Sequence, residues 1–160
     1  CVDTMSQPRA LLRGDYPDPS IMRDGKDFYM THSSCDYSPG ILIWHSRDLV
    51  NWRPICRVLT KDLRRVWAPE LQKIDGKFYL YFPSRRRIYV CVSERIEGPW
   101  SEPIEIKGTG RSIDPGVIVT PEGKKYLFLN DGKMAPLNEE GTALTDTHLS
   151  QIKRFCNKDI

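Results

Sequence analysis

The chain has 160 residues, with 24 Lys and Arg against 21 Asp and Glu for a formal net charge of +3; 39% of residues are hydrophobic, 28% charged and 10% aromatic. That length suits one domain, since most run about 100–150 residues, and the composition excludes a collagen-like repeat, a coiled coil and a wholly disordered chain. The longest apolar runs, such as ILIW at 41–44, fall far short of the roughly 18 residues a membrane span needs, so no transmembrane segment is expected.

From the N-terminus, the chain begins with Cys1 in place of Met. That fits a processed or lipid-modified cysteine as well as a fragment boundary, and leaves secreted, periplasmic and cytoplasmic locations open. The five cysteines, Cys1, Cys35, Cys56, Cys91 and Cys156, are odd in number and irregularly spaced, which fits neither a disulfide framework nor a zinc site. His32, His45 and His148 form no metal-ligand spacing with them.

Three segments then align on their prolines: PDPSIMRDGKDFYMTHSS from Pro17, WAPELQKIDGKFYLYFPS from Trp67, and IDPGVIVTPEGKKYLFLN from Ile113. Each holds a short apolar stretch, a turn ending in Gly25, Gly76 or Gly123, and an aromatic strand. Asp-Gly and Glu-Gly between apolar runs predict hairpins, because glycine accepts the positive φ that tight hairpin turns require. Between the hairpins, ILIWHSRDLVNWRPI (41–55) resembles YVCVSERIEGPWSEPI (89–104). Each predicts a strand ending at Ser46 or Ser93, a polar turn, and Trp52 or Trp100 before another strand. Trp52 and Trp100 share one station and read as packing residues.

Four strands recurring in about 48 residues are the signature of a β-propeller blade. The expected fold is therefore all-β, a β-propeller of about three blades, with a β-sandwich of similar hairpins as the alternative. Helical periodicity is weak everywhere except in the last dozen residues. Two basic patches, Arg64-Arg65 and Arg85-Arg86-Arg87, are shorter than a nucleic-acid-binding surface usually needs and read as solvated loops, so no nucleic-acid partner is expected. No glycine-rich phosphate loop or nucleotide fingerprint is present, so no organic cofactor is expected.

In a propeller, the residue just before the first strand of each blade faces the common axis. That residue is Asp18 in the first repeat, Ala68 in the second and Asp114 in the third. Two carboxylates at one station on two blades can converge on a concave mouth, as acid–base hydrolysis of a glycosidic bond requires. Alternatively each Asp caps a turn before proline.

GDYPDPSI, SPGILIWHSRDLVNW, VWAPEL and IDPGVIV…GKKYLFL, in that order over residues 12–146, resemble the N-terminal part of glycoside hydrolase family 43. Its members similar to this chain are β-xylosidases and α-L-arabinofuranosidases acting on plant polysaccharides. The resemblance implies a five-bladed propeller and inverting hydrolysis of arabinose- or xylose-containing substrates. It implies Asp18 as general base and Asp114 as the carboxylate that orients the catalytic acid and raises its pKa. Trp67 would line the sugar pocket, with core packing as its alternative, and Tyr37 would stand near the pocket.

The family's general acid, a Glu, falls beyond the third hairpin, and Glu70, Glu94, Glu139 and Glu140 do not stand in its motif. Some relatives hold calcium in the axial channel, so a structural calcium is allowed in the complete family fold. Residues 1–147 are thus expected to form an incomplete propeller domain, and residues 148–160 a divergent tail, from a truncated or frame-shifted end or a genuine short variant. A non-catalytic carbohydrate-binding or vestigial fragment is the second function considered, and a retaining five-bladed fructosidase a third. With the ring unclosed, the first and last blades would expose apolar faces, and self-association through them is expected.

Overall fold

In a computed structural model, residues 10–146 and the backbone of 150–151 are described. The first hairpin pairs Ser20–Asp24 (β1) with Asp27–Thr31 (β2) across a two-residue turn in which Gly25 takes φ 61°. Leu42–Ser46 (β3) and Arg53–Arg57 (β4) complete an antiparallel sheet in the order β1-β2-β3-β4. The second sheet repeats the plan with Glu70–Ile74 (β5), Lys77–Ser84 (β6), Arg87–Ser93 (β7) and Ile104–Glu105 (β8). Asp75 and Gly76, at φ 50° and 82°, supply the two positive φ values of a type I′ hairpin turn. Gly116–Val119 (β9), Lys125–Leu129 (β10), Lys133–Pro136 (β11) and Ser150–Gln151 (β12) form the third sheet. A 3₁₀ turn at Asn130–Gly132 is the only helical element among the described residues.

The expected three blades are therefore present, each a four-stranded meander. β3 and β7 end at Ser46 and Ser93 as the sequence predicts. β12 lies past the 147/148 boundary set from sequence, and the rest of that tail, with its helical periodicity, falls outside the described residues.

The middle blade carries two cores, one on each face. Side chains alternate along a strand. In β6, Phe78, Leu80 and Phe82 pack with Ile41, Ile43 and Val58 of the first blade. Tyr79 and Tyr81 point the other way, with Leu127, Leu129 and Leu137 of the third. That two-sided burial is why β6 reads as an unbroken apolar run. The innermost strands lie side by side: Ser20 Oγ donates to Glu70 Oε2 (3.3 Å) and accepts from the Leu71 N–H (3.2 Å), while Gln72 Nε2 donates to the Val117 carbonyl (3.3 Å).

Among the described residues the end blades lack such cover. On β1, Met22 packs inward while Ile21 is 55% exposed, and on β9, Val117 is buried while Ile118 is 53% exposed. Among the described residues no helix is long and apolar enough to cross a membrane.

Candidate functional site

Asp18, Ala68 and Asp114 each stand two residues before the innermost strand of their blade. Because β1, β5 and β9 are neighbours, the three stations open at one end of the molecule. Asp18 and Asp114 share the left-handed backbone conformation, at φ 54° and 53°. The residue before each is tied to the end of its hairpin in the same way: the Pro17 carbonyl accepts the Ser33 N–H (2.9 Å) and the Ile113 carbonyl accepts the Asn130 N–H (3.2 Å). Both carboxylates are exposed.

The buried Ser33 hydroxyl donates to Asp18 Oδ2 at 2.5 Å. Beside Asp114, the Asn130 side chain accepts the Ile113 N–H at 2.9 Å. Ser33 was invisible in the sequence; its place opposite Pro17 emerges only from the register of β1 and β2.

Trp67 follows Val66, which is bridged to both Cys35 and Ser84. The Ser34 and Cys35 N–H groups donate to the Val66 carbonyl at 3.1 and 2.8 Å. Asp18, Ser33, Cys35, Val66 and Trp67 thus form one connected segment. Burial pushes the Cys35 thiol up from its ordinary pKa, and the carboxylates of Asp15, Asp18 and Asp36 add to the rise. Trp67 is half-buried, belongs to neither core and stacks on no ring among the described residues. It lines a hollow of about 360 Å³ with Arg64, Arg65, Arg85, Arg86 and Arg111. The two basic patches read from sequence as separate solvated loops therefore meet around Trp67.

Tyr37, on the loop after Cys35, is 70% exposed. The two tryptophans of the repeated station differ. Each indole donates to a nearby carbonyl, Trp52 to Leu49 and Trp100 to Ile96. Trp100 then packs on the core between the first two blades, whereas Trp52 lines a hollow on the outer side of the first blade with Ile21, Met30 and Leu49. Among the described residues the second blade has a neighbour on that side and the first does not.

Glu70 accepts hydrogen bonds from Ser20 and Gln72, and Glu94 is ion-paired with Lys77 at 2.9 Å. Among the described residues no group of three His, Cys, Asp or Glu side chains is placed to hold a metal ion.

Three successive four-stranded meanders with adjacent innermost strands and carboxylates at one mouth define a blade-built sheet protein of the propeller class. The model of the glycosyl hydrolases family 43 matches residues 8–157, and the chain belongs to that family. It is 38% identical over 138 residues to a xylan 1,3-beta-xylosidase of a Vibrio species, covering 74% of this chain and 25% of that protein. It is 30% identical over 139 residues to a non-reducing end alpha-L-arabinofuranosidase of Bacteroides ovatus, covering 77% of this chain and 26% of that protein. The family 43 protein BlXynB from Bacillus licheniformis superposes with a TM-score of 0.80 at 35% identity, over 89% of this chain and 32% of that one. The chain thus spans about a quarter of the length of the curated relatives it matches.

Proposed function

We propose that this chain supplies the base-bearing part of an inverting glycoside hydrolase acting on arabinose- or xylose-containing plant polysaccharides or oligosaccharides. The observation that carries the reading is the matched placement of Asp18 and Asp114, on two blades at one mouth, in one backbone conformation.

Asp18 acts as general base. Its exposed carboxylate, held through one oxygen by Ser33, leaves the other free to take a proton from water attacking the anomeric carbon. The general acid is a glutamate that is not among residues 1–160. In an inverting site it stands ~6.5–9.5 Å from the base, leaving room for that water. Asp114 lies beside the acid and disfavours its ionisation through like-charge proximity. Trp67 and Tyr37 offer flat apolar faces to the sugar ring.

The test is a chimera in which residues 10–146 replace the matching segment of BlXynB. The chimera should cleave an aryl xyloside or arabinofuranoside, releasing product of inverted configuration, while the 160-residue chain alone shows no measurable turnover. Asp18→Asn in the chimera should lower kcat by about 10²–10⁴-fold, the worth of a positioned general base. Asp114→Asn should cost less and move the high-pH limb to lower pH, because the acid then ionises more readily. Wild-type turnover by the Asp18→Asn chimera would refute the assignment, and retained configuration would point to the fructosidase-like chemistry instead.

A further inference from the structure

Five arginines surround Trp67, and their placement is not explained by folding. Arg85 and Arg86 form the two-residue turn between β6 and β7, at φ 48° and 62°. Such a turn favours Asn-Gly, since both residues must adopt positive φ. Arg64 and Arg65, at φ 50° each, hold the same unfavourable conformation on the facing loop. The two loops are fixed together: Val66 bridges Ser84, and the buried Ser84 hydroxyl contacts the Leu63 and Arg64 carbonyls at 2.9 Å each. Strain held in place by surrounding structure points to a use for the side chains.

The charge is also uncompensated. Several basic side chains elsewhere do face carboxylates: Lys61 with Glu102, Lys73 with Asp24, Lys77 with Glu94, Arg87 with Glu105. In the hollow, only Arg64 has a partner, a 3.4 Å contact with Asp62. Arg65, Arg85, Arg86 and Arg111 have none among the described residues, and no carboxylate lines the hollow. Like charges crowded without a counter-ion repel, and guanidinium groups are suited to grip a carboxylate through paired N–H donors.

We propose that this hollow is a subsite for the carboxylate of a uronic acid substituent carried by the sugar chain. The inference rests on the sugar site proposed above and extends it to acidic branched substrates. Trp67 supplies the ring-stacking face and the arginines the counter-charge, one at the side of the other. A nucleic-acid track is disfavoured because the net charge is only +3.

The test uses the 160-residue chain and calorimetry with xylotriose bearing one glucuronic acid branch. The same compound with its carboxyl reduced to an alcohol serves as the neutral twin. At near-physiological salt the acidic ligand should bind about tenfold more tightly, as expected of two or three exposed charge-assisted contacts. Arg85→Asn with Arg86→Gly removes two charges while giving the turn its preferred residues, and should bring the ratio towards one. Arg111→Gln, away from that turn, should lower it as well. Equal affinity for the two ligands would overturn the subsite and leave the sugar site standing. Binding of neither would overturn the subsite, and the chimera would then decide the sugar site separately. A short oligonucleotide binding more tightly than the acidic sugar would overturn it in favour of a general polyanion surface.

Discussion

Asp18 and Asp114 occupy the same point of two blades in the same left-handed backbone conformation, φ 54° and 53°. This coincidence separates backbone from side-chain effects. Left-handed backbone costs most residues roughly 1–2 kcal/mol, whereas Asp and Asn tolerate it. Asn at either site should leave the melting temperature of the chain unchanged, and Ala should lower stability by about 1 kcal/mol. Thermal melting of the four single variants checks this; equal losses for Asn and Ala would mean that the carboxylates themselves hold the loops.

Gly141 joins the third blade to the second. Its carbonyl accepts the hydroxyl of the fully buried Tyr81 at 2.8 Å, and a Cβ at this position would meet Tyr81 Oη at 2.8 Å and Tyr79 Cε1 at 3.3 Å. At φ 69°, any side chain is strained as well. Gly141→Ala should therefore cost about 2 kcal/mol or more, and Tyr81→Phe about 1 kcal/mol for the lost hydrogen bond. Denaturant titration measures both, and a neutral Gly141→Ala would mean the loop is not anchored there.

Ile21 and Ile118 stand exposed on the outward faces of the two end blades. Contiguous apolar surface of this kind favours association. The purified chain is expected to be oligomeric or poorly soluble. Ile21→Lys with Ile118→Lys should shift it towards monomer in sedimentation velocity. An already monodisperse monomer would contradict the expectation.

The buried thiol of Cys91 predicts alkaline instability. Burial pushes it from an ordinary 9.0 to about 12. Above pH 9 the unfolded chain releases this proton while the folded chain keeps it, so the unfolded state binds fewer protons and stability falls as pH rises. The Cys91 contribution is complete below pH 9 and lost by about pH 12. Cys91→Ala should flatten that part of the stability curve measured by urea titration. An unchanged slope would place the alkaline sensitivity elsewhere.

The sequence by itself determined the blades. Gly25 and Asp75-Gly76 mark turns whose positive φ is a local requirement, and the period-two alternation of β6 follows from strand geometry. The same locality made the shared station of Asp18 and Asp114 legible, since equivalent residues of a repeat take equivalent places. Only the tertiary structure decided what meets at those places. Ser33 reaches Asp18 through strand register, and Arg64-Arg65 joins Arg85-Arg86 through the Val66–Ser84 bridge. Trp52 and Trp100, identical by position, diverge because among the described residues one blade has a neighbour and the other does not. Local patterns fix backbone conformation and which face a residue takes, but convergence between distant loops is set by packing of one sheet on the next, and no periodicity within a segment encodes it.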